Sequence, residues 1–127
     1  INLPMSVANQ QFINKNYLSK IKKKKIEIQV RSIFLQGLLL SNVDNLPKQF
    51  KNNKFFLDFF KWLKKHNYDP LVASITFIKK IKYVNKIIIG VDNLEQLKMI
   101  VKIYNKNFKI KFKKFHQSSI LRNPSIW

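Results

Sequence analysis

Ile28-Gln29-Val30-Arg31-Ser32-Ile33-Phe34-Leu35-Gln36-Gly37-Leu38-Leu39-Leu40 constrains this chain more than any other stretch. It opens as the end of an apolar strand, Ile26 to Val30, breaks at Arg31-Ser32, and passes through an apolar loop to Gly37. Only one other glycine exists, Gly90, which follows a second short strand, Ile87-Ile88-Ile89, and precedes a helix start. Two strands that each end in a glycine loop read as neighbouring strand ends of an α/β protein. That is where such folds bind phosphate-bearing ligands.

The rest of the pattern alternates strand and helix. Ile1 to Val7 is apolar and short enough for a strand, with Pro4 suited to an edge or strand end. Asn9 is the expected cap of a helix carrying Phe12, Ile13, Tyr17, Leu18 and Ile21 on one side and ending in Lys22 to Lys25. Asn42 to Lys48, with Pro47, reads as a loop, and Phe50 to Lys65 as an aromatic-rich helix. Asp69-Pro70 starts another helix, with Leu71, Ile75, Ile78 and Ile81 along one face. Lys86 to Ile89 is the third strand. Asn93 and Gln96 have capping-box spacing before a helix whose apolar face is Leu94, Leu97, Val101 and Tyr104. From Asn105 the chain is Lys-rich and reads as irregular. Nothing in this order marks a linker, so residues 1–127 form one structural unit. Strands separated by helices imply a parallel sheet with right-handed crossovers.

Composition narrows the function classes. The absence of cysteine excludes disulfides and thiolate chemistry, and His66 and His116 stand too far apart for a metal-ligand spacing. The net charge of +19 invites a nucleic-acid reading. However, all but Arg31 and Arg122 of the 25 basic residues are Lys, and base-specific readers lean on Arg. Lys, Asn, Ile and Phe together make up about half the chain, and these residue types rise together in AT-rich coding DNA. The lysines are therefore expected to be a solvated surface, with neither nucleic acid nor membrane as partner. No apolar run spans a bilayer and no secretory leader is evident, which gives a cytoplasmic expectation.

Four segments together resemble the C-terminal portion of an aldo/keto reductase, an NAD(P)-linked (β/α)8 TIM barrel. Ile1-Asn2-Leu3-Pro4-Met5-Ser6-Val7 is similar to the sixth barrel strand. Val30-Arg31-Ser32-Ile33-Phe34-Leu35-Gln36-Gly37-Leu38-Leu39 is similar to the seventh strand and its cofactor loop. Ile88-Ile89-Gly90-Val91-Asp92-Asn93-Leu94-Glu95-Gln96-Leu97 is similar to the eighth strand and the following helix, and Asn123-Pro124-Ser125-Ile126-Trp127 to the family's ending. The resemblance implies a partial barrel, three parallel strands with flanking helices, whose outer edges pair with strands in a missing N-terminal half. It implies NAD(P)H as cofactor and a small carbonyl compound as substrate, sugar-like by similarity to one branch of the family.

It also implies a set of cofactor-binding residues. Asn2 occupies the position of a Gln that holds the nicotinamide carboxamide, and Arg31 that of an aromatic residue against the ring. Ser32, Phe34, Leu35, Gln36 and Gly37 form the loop against the pyrophosphate, with Ser32 and Gln36 offering hydrogen bonds and Gly37 close approach. Gly90, Asp92, Asn93 and Gln96 stand at the adenosine end, beside free helix N–H groups. Asp92 replaces a basic residue that would favour the 2′-phosphate of NADP, and Met99 and Ile100 replace a polar pair at the adenine. Read without the resemblance, both glycines serve turns and Asn93 and Gln96 simply cap a helix. The family's Asp, Tyr, Lys and His lie on earlier strands. Tyr17, Tyr68, Tyr83 and Tyr104 fall on helices or their ends, so this chain alone is expected to catalyse nothing. Two rival classes are a basic binding module for nucleic acid or anionic surfaces, and a degenerate barrel that binds cofactor without turnover.

Overall fold

The computed structural model describes residues 1–127, the Lys15 side chain excepted. Three short parallel strands form one sheet in sequential order: β1 (Asn2–Pro4), β2 (Gln29–Arg31) and β3 (Lys86–Ile87). Helices α1 (Lys15–Lys23), α2 (Lys54–His66), α3 (Pro70–Lys79) and α4 (Leu94–Tyr104) connect and flank them. The chain is thus mixed α/β with a small parallel sheet. Leu3 pairs with Val30 and Val30 with Ile87, which puts these three on one face. That face, with Met5 and Ile28, packs against Leu18 and Ile21 of α1 and Ile75 and Ile78 of α3. Both helical crossovers therefore cover the same face. The opposite face, carrying Asn2, Gln29, Arg31 and Lys86, has no helix over it.

The strands are shorter than the sequence implies, for local reasons. Ser6 Oγ accepts the N–H groups of Ala8 and Asn9, and the Ser6 and Asn9 backbones exchange hydrogen bonds at 3.0 and 3.2 Å. This tight turn ends β1 and uses the amides a helix start would need. The expected cap at Asn9 is therefore wrong: Asn14 caps α1, its side chain accepting the Asn16 and Tyr17 N–H groups. Phe12 and Ile13 precede the helix and lie half-buried against the sheet. Before β2, Lys25 turns the chain at φ 58°, leaving Ile26 outside the strand. Beyond β3, the Ile88 N–H still donates to Val30 at 2.8 Å.

Helix α2 starts later than Phe50, at Lys54 with Asn53 as cap, because Pro47 leads into a separate 3-10 turn. Asp69 caps α3 and Pro70 opens it, as the sequence implies. The aromatic face of α2 is not exposed. Phe55, Phe56, Phe59 and Trp62 are buried, and the irregular segment after α4 folds back over them. There Phe108, Ile110 and Phe112 point inward while Lys109, Lys111 and Lys113 point out. Phe115 meets Phe55, Phe59 and Trp62 edge-on at 5.3 to 5.8 Å between ring centres. Trp127 closes the layer against Phe50, its indole N–H donating to the Ile120 carbonyl at 2.6 Å.

Helix α4 departs most from its pattern. Leu94, Leu97, Val101 and Tyr104 face solvent, Leu94 with 61% of its surface exposed, while Ile100 and Ile103 make the contact with the core. The helix lies beyond β3, where no further strand or helix covers it among the described residues. Lys79 pins its far end, donating to the carbonyls of Tyr104 at 2.6 Å and Lys106 at 2.7 Å. A cation there satisfies acceptors that the helix itself leaves open.

Beside the sheet, the Gln29 amide donates to Glu27 at 2.6 Å and Lys86 pairs with Glu27 at 3.0 Å. The Gln29 hydrogen bond first, and then Lys86, hold the Glu27 carboxyl below the usual carboxylate range. Such a group contributes stability above the ordinary carboxylate pKa, and loses it as pH falls through the lowered native value. The window lies on the acid side of about pH 4. Glu27→Gln should lower neutral-pH stability only slightly, as for most exposed ion pairs. It should also flatten the acid limb of a stability–pH curve, measured by urea denaturation. An acid limb identical to the parent's contradicts this.

Candidate functional site

The carboxyl ends of β2 and β3 lead into the two glycine loops, and both loops line one cleft of about 800 Å³. On the β2 side, Ser32 (φ 60°), Leu35 (φ 51°), Gln36 (φ 54°) and Gly37 (φ 84°) are all left-handed. For non-glycine residues this conformation costs on the order of 1 kcal/mol each, and it persists only where the surroundings impose it. Here Leu35 and Leu39 impose it, both buried among the rings of the aromatic core. Leu38 and Leu40 donate back to Leu35 and Gly37 at 3.2 and 3.0 Å. The Gln36 and Gly37 N–H groups meet no acceptor among the described residues, and both residues line the cleft. Successive free amides of this kind form an anion-binding concavity.

The β3 side is built from Gly90, Asp92 and the start of α4. Asn93 Oδ1 accepts the Gln96 N–H at 2.9 Å, while Gln96 Oε1 accepts the Asp92 N–H at 2.9 Å. The reciprocal arrangement expected from the spacing is present, shifted by one residue on its return arm. It leaves the N–H groups of Leu94 and Glu95 without acceptors among the described residues. Gly90 is not left-handed, and a Cβ added there meets nothing within 4 Å. Its missing side chain therefore opens space rather than relieving the backbone.

Of the sequence-derived residues, Ser32, Phe34, Gln36, Gly37, Gly90, Asp92 and Gln96 line the cleft. Leu35 is buried behind the loop and Asn93 is occupied in capping, so neither lines it. Asn2 is exposed on the uncovered face of β1 and is not among the lining residues. Arg31 projects from the tip of β2, its guanidinium donating to Ser32 Oγ at 3.2 Å, and lines a smaller neighbouring pocket. Asp69, Leu71, Met99 and Ile100 are among the other lining residues. Met99 and Ile100 give one wall an apolar shelf beside the α4 N-terminus, and Asp69 was legible only as a helix cap.

The electrostatics are unexpected for so basic a chain. Asp69 and Asp92 line the cleft, and no Lys or Arg does. The groups in this cleft that could meet an anion are therefore backbone N–H groups, and Asp92 disfavours negative charge beside it. Among the described residues no group of His, Cys, Asp or Glu could hold a metal ion, and no helix is long and apolar enough to cross a membrane. No protein-family model, curated protein or solved structure matches this chain.

Proposed function

We propose that this chain is the cofactor-phosphate-binding part of an aldo/keto reductase barrel. In it, hydride passes between a nicotinamide dinucleotide and an aldehyde or ketone. One observation carries the reading. The loops after two adjacent parallel strands, each with a glycine, face one cleft, with free amides of a left-handed turn on one wall and Gly90, Asp92 and the Gln96 side of α4 on the other. Dinucleotide diphosphates bind where backbone donors converge in this way.

The sheet supports the same reading. Sequentially ordered parallel strands with both crossover helices on one face have the form of a barrel wall, whose uncovered face would be the lumen. The open edges of β1 and β3, and the exposed apolar side of α4, would take further strand–helix units. The proton donor to the carbonyl oxygen would stand on those strands, since no tyrosine here sits at a strand tip. Hydride chemistry is the cofactor's. This chain's part is to hold the diphosphate by the Gln36 and Gly37 N–H groups. Asp92 accepts from a ribose hydroxyl, which favours NAD over NADP.

Titration of ADP-ribose into the isotope-labelled chain, followed by amide NMR, tests this. Saturable shifts are expected at Gly37, Gly90 and Leu94. Gly90→Ala should change stability by no more than about 0.5 kcal/mol, because nothing crowds the added methyl. It should weaken ADP-ribose binding about tenfold by pushing the ligand off one backbone donor. The reading fails if ADP-ribose leaves these amides unmoved, or if Gly90→Ala binds it as the parent does.

A further inference from the structure

The chain's only two arginines meet at one place. Arg31, at the tip of β2, and Arg122, in the C-terminal segment, line the same pocket of about 150 Å³, together with Asn9, Ser32 and Asn123. Neither arginine pairs with a carboxylate, and none of the six acidic residues lines the pocket. Two arginines without carboxylate partners border one small space, and an oxyanion there would meet positive charge from both sides. Planar, bidentate donors of this kind match carboxylate and phosphate oxygens.

Asn9 is the second, independent observation. The residue is only 3% exposed, yet it opens on this pocket. Its Oδ1 accepts the Gln11 N–H at 3.4 Å, while its Nδ2 has no acceptor among the described residues. That nitrogen is not sealed from solvent, so the donor stays open to a ligand or a water.

The pocket is also held in place before any ligand arrives. Gln117 ties the C-terminal segment to the loop after β1, its Oε1 accepting the Gln10 N–H at 3.1 Å and its Nε2 donating to the Val7 carbonyl at 3.2 Å. Leu121, fully buried, anchors the residue beside Arg122. Ser32 lines both this pocket and the larger cleft, so the two spaces adjoin. The volume exceeds a water site several-fold, a water occupying about 30 Å³ of liquid, and falls short of the roughly 300 Å³ of a small-molecule pocket. It suits one compact charged group on a larger molecule.

We propose that Arg31 and Arg122, with the buried amide of Asn9, form an oxyanion pocket for the carboxylate or phosphate of the carbonyl substrate. Assignment to the substrate rests on the hydride-transfer reading; the oxyanion site itself does not. It narrows the substrate from any aldehyde or ketone to one carrying an anionic group, such as a sugar acid or sugar phosphate.

The test uses the full chain with inorganic phosphate and acetate as separate probes, followed by NMR of the Arg side-chain Nε–H and Asn amide signals. Saturable shifts at Arg31, Arg122 and Asn9 are expected, and the tighter probe names the group. Arg122→Gln, an exposed position that leaves the core intact, should weaken binding about tenfold or more. Arg122→Lys should recover only part of it, since a point charge lacks the fork. Lys114→Gln should change nothing. ADP-ribose affinity should survive Arg122→Gln, which separates this pocket from the cleft. If ADP-ribose fails to bind while phosphate or acetate still saturates the two arginines, the cleft reading falls and the oxyanion site stands. The site is overturned if shifts spread over the lysines without saturating, or if Arg122→Gln leaves them unaltered.

Discussion

Phe59→Ala should lower the unfolding free energy by about 4 kcal/mol. Phe59 is fully buried and lies 5.4 Å from Phe55, 5.6 Å from Phe60, 6.0 Å from Trp62 and 5.6 Å from Phe115, between ring centres. Those rings belong to one helix and to the segment folded across it, so the walls of the new cavity cannot close without moving both. That keeps the cost well inside the range of about 3–5 kcal/mol for truncated core aromatics. Domains of this size are stable by only about 5–15 kcal/mol, so the variant sits close to its threshold. The C-terminal segment should loosen first, because Phe115 loses a partner and little backbone hydrogen bonding holds it. Leu57→Ala, on the exposed side of the same helix, should stay within about 0.5 kcal/mol. Urea denaturation reads both. A Phe59→Ala midpoint within error of the parent's would mean that the aromatic layer is not packed as described.

What the sequence made legible was chemistry acting within a few residues. Asp69-Pro70 starts α3 because cap and ring act locally, and Asn93 caps α4 for the same reason. Asn9 and Asn14 were equally good caps by type. The Ser6 hydroxyl decided between them by closing a turn over Asn9. The cover over the aromatic helix was partly legible, since Phe108, Ile110 and Phe112 alternate with Lys109, Lys111 and Lys113 in the period of an extended segment. The density of lysine hid that alternation. The outward face of α4 was not legible, because its burial depends on a neighbour beyond β3 rather than on its own spacing.

The site divides along the same line. Gly37 and Gly90 were visible because rare glycines after strands carry backbone information. Asp69 and Leu71 enter the cleft only through the packing of α3. Arg122 comes to line the same pocket as Arg31 because Gln117 ties the C-terminal segment to the loop after β1, a long-range link with no local signature. The scarcity of arginine against so many lysines is the one local clue.

Gly37→Val should cost about 2 kcal/mol and abolish ADP-ribose binding. The position sits at φ 84°, a region where an L side chain crowds its own backbone by about 1–2 kcal/mol and a β-branched one still more. A Cβ there meets no neighbour within 4 Å, so the penalty is conformational and no rearrangement of surrounding side chains relieves it. Nor can the strain pass upstream, because Leu35 and Gln36 are themselves left-handed and Leu35 is locked in the core. The turn must open, and the Gln36 and Gly37 N–H groups then leave the cleft wall. Gly37→Asn separates the two effects. Asparagine tolerates the left-handed region, so this variant should melt within a few degrees of the parent while its side chain still keeps a phosphate away from the backbone. Binding lost in both variants, with stability lost only in valine, is the outcome of a glycine kept for close approach as well as for its turn. If the asparagine variant binds ADP-ribose like the parent, Gly37 serves the turn alone. If valine melts like the parent, the left-handed turn itself is wrong.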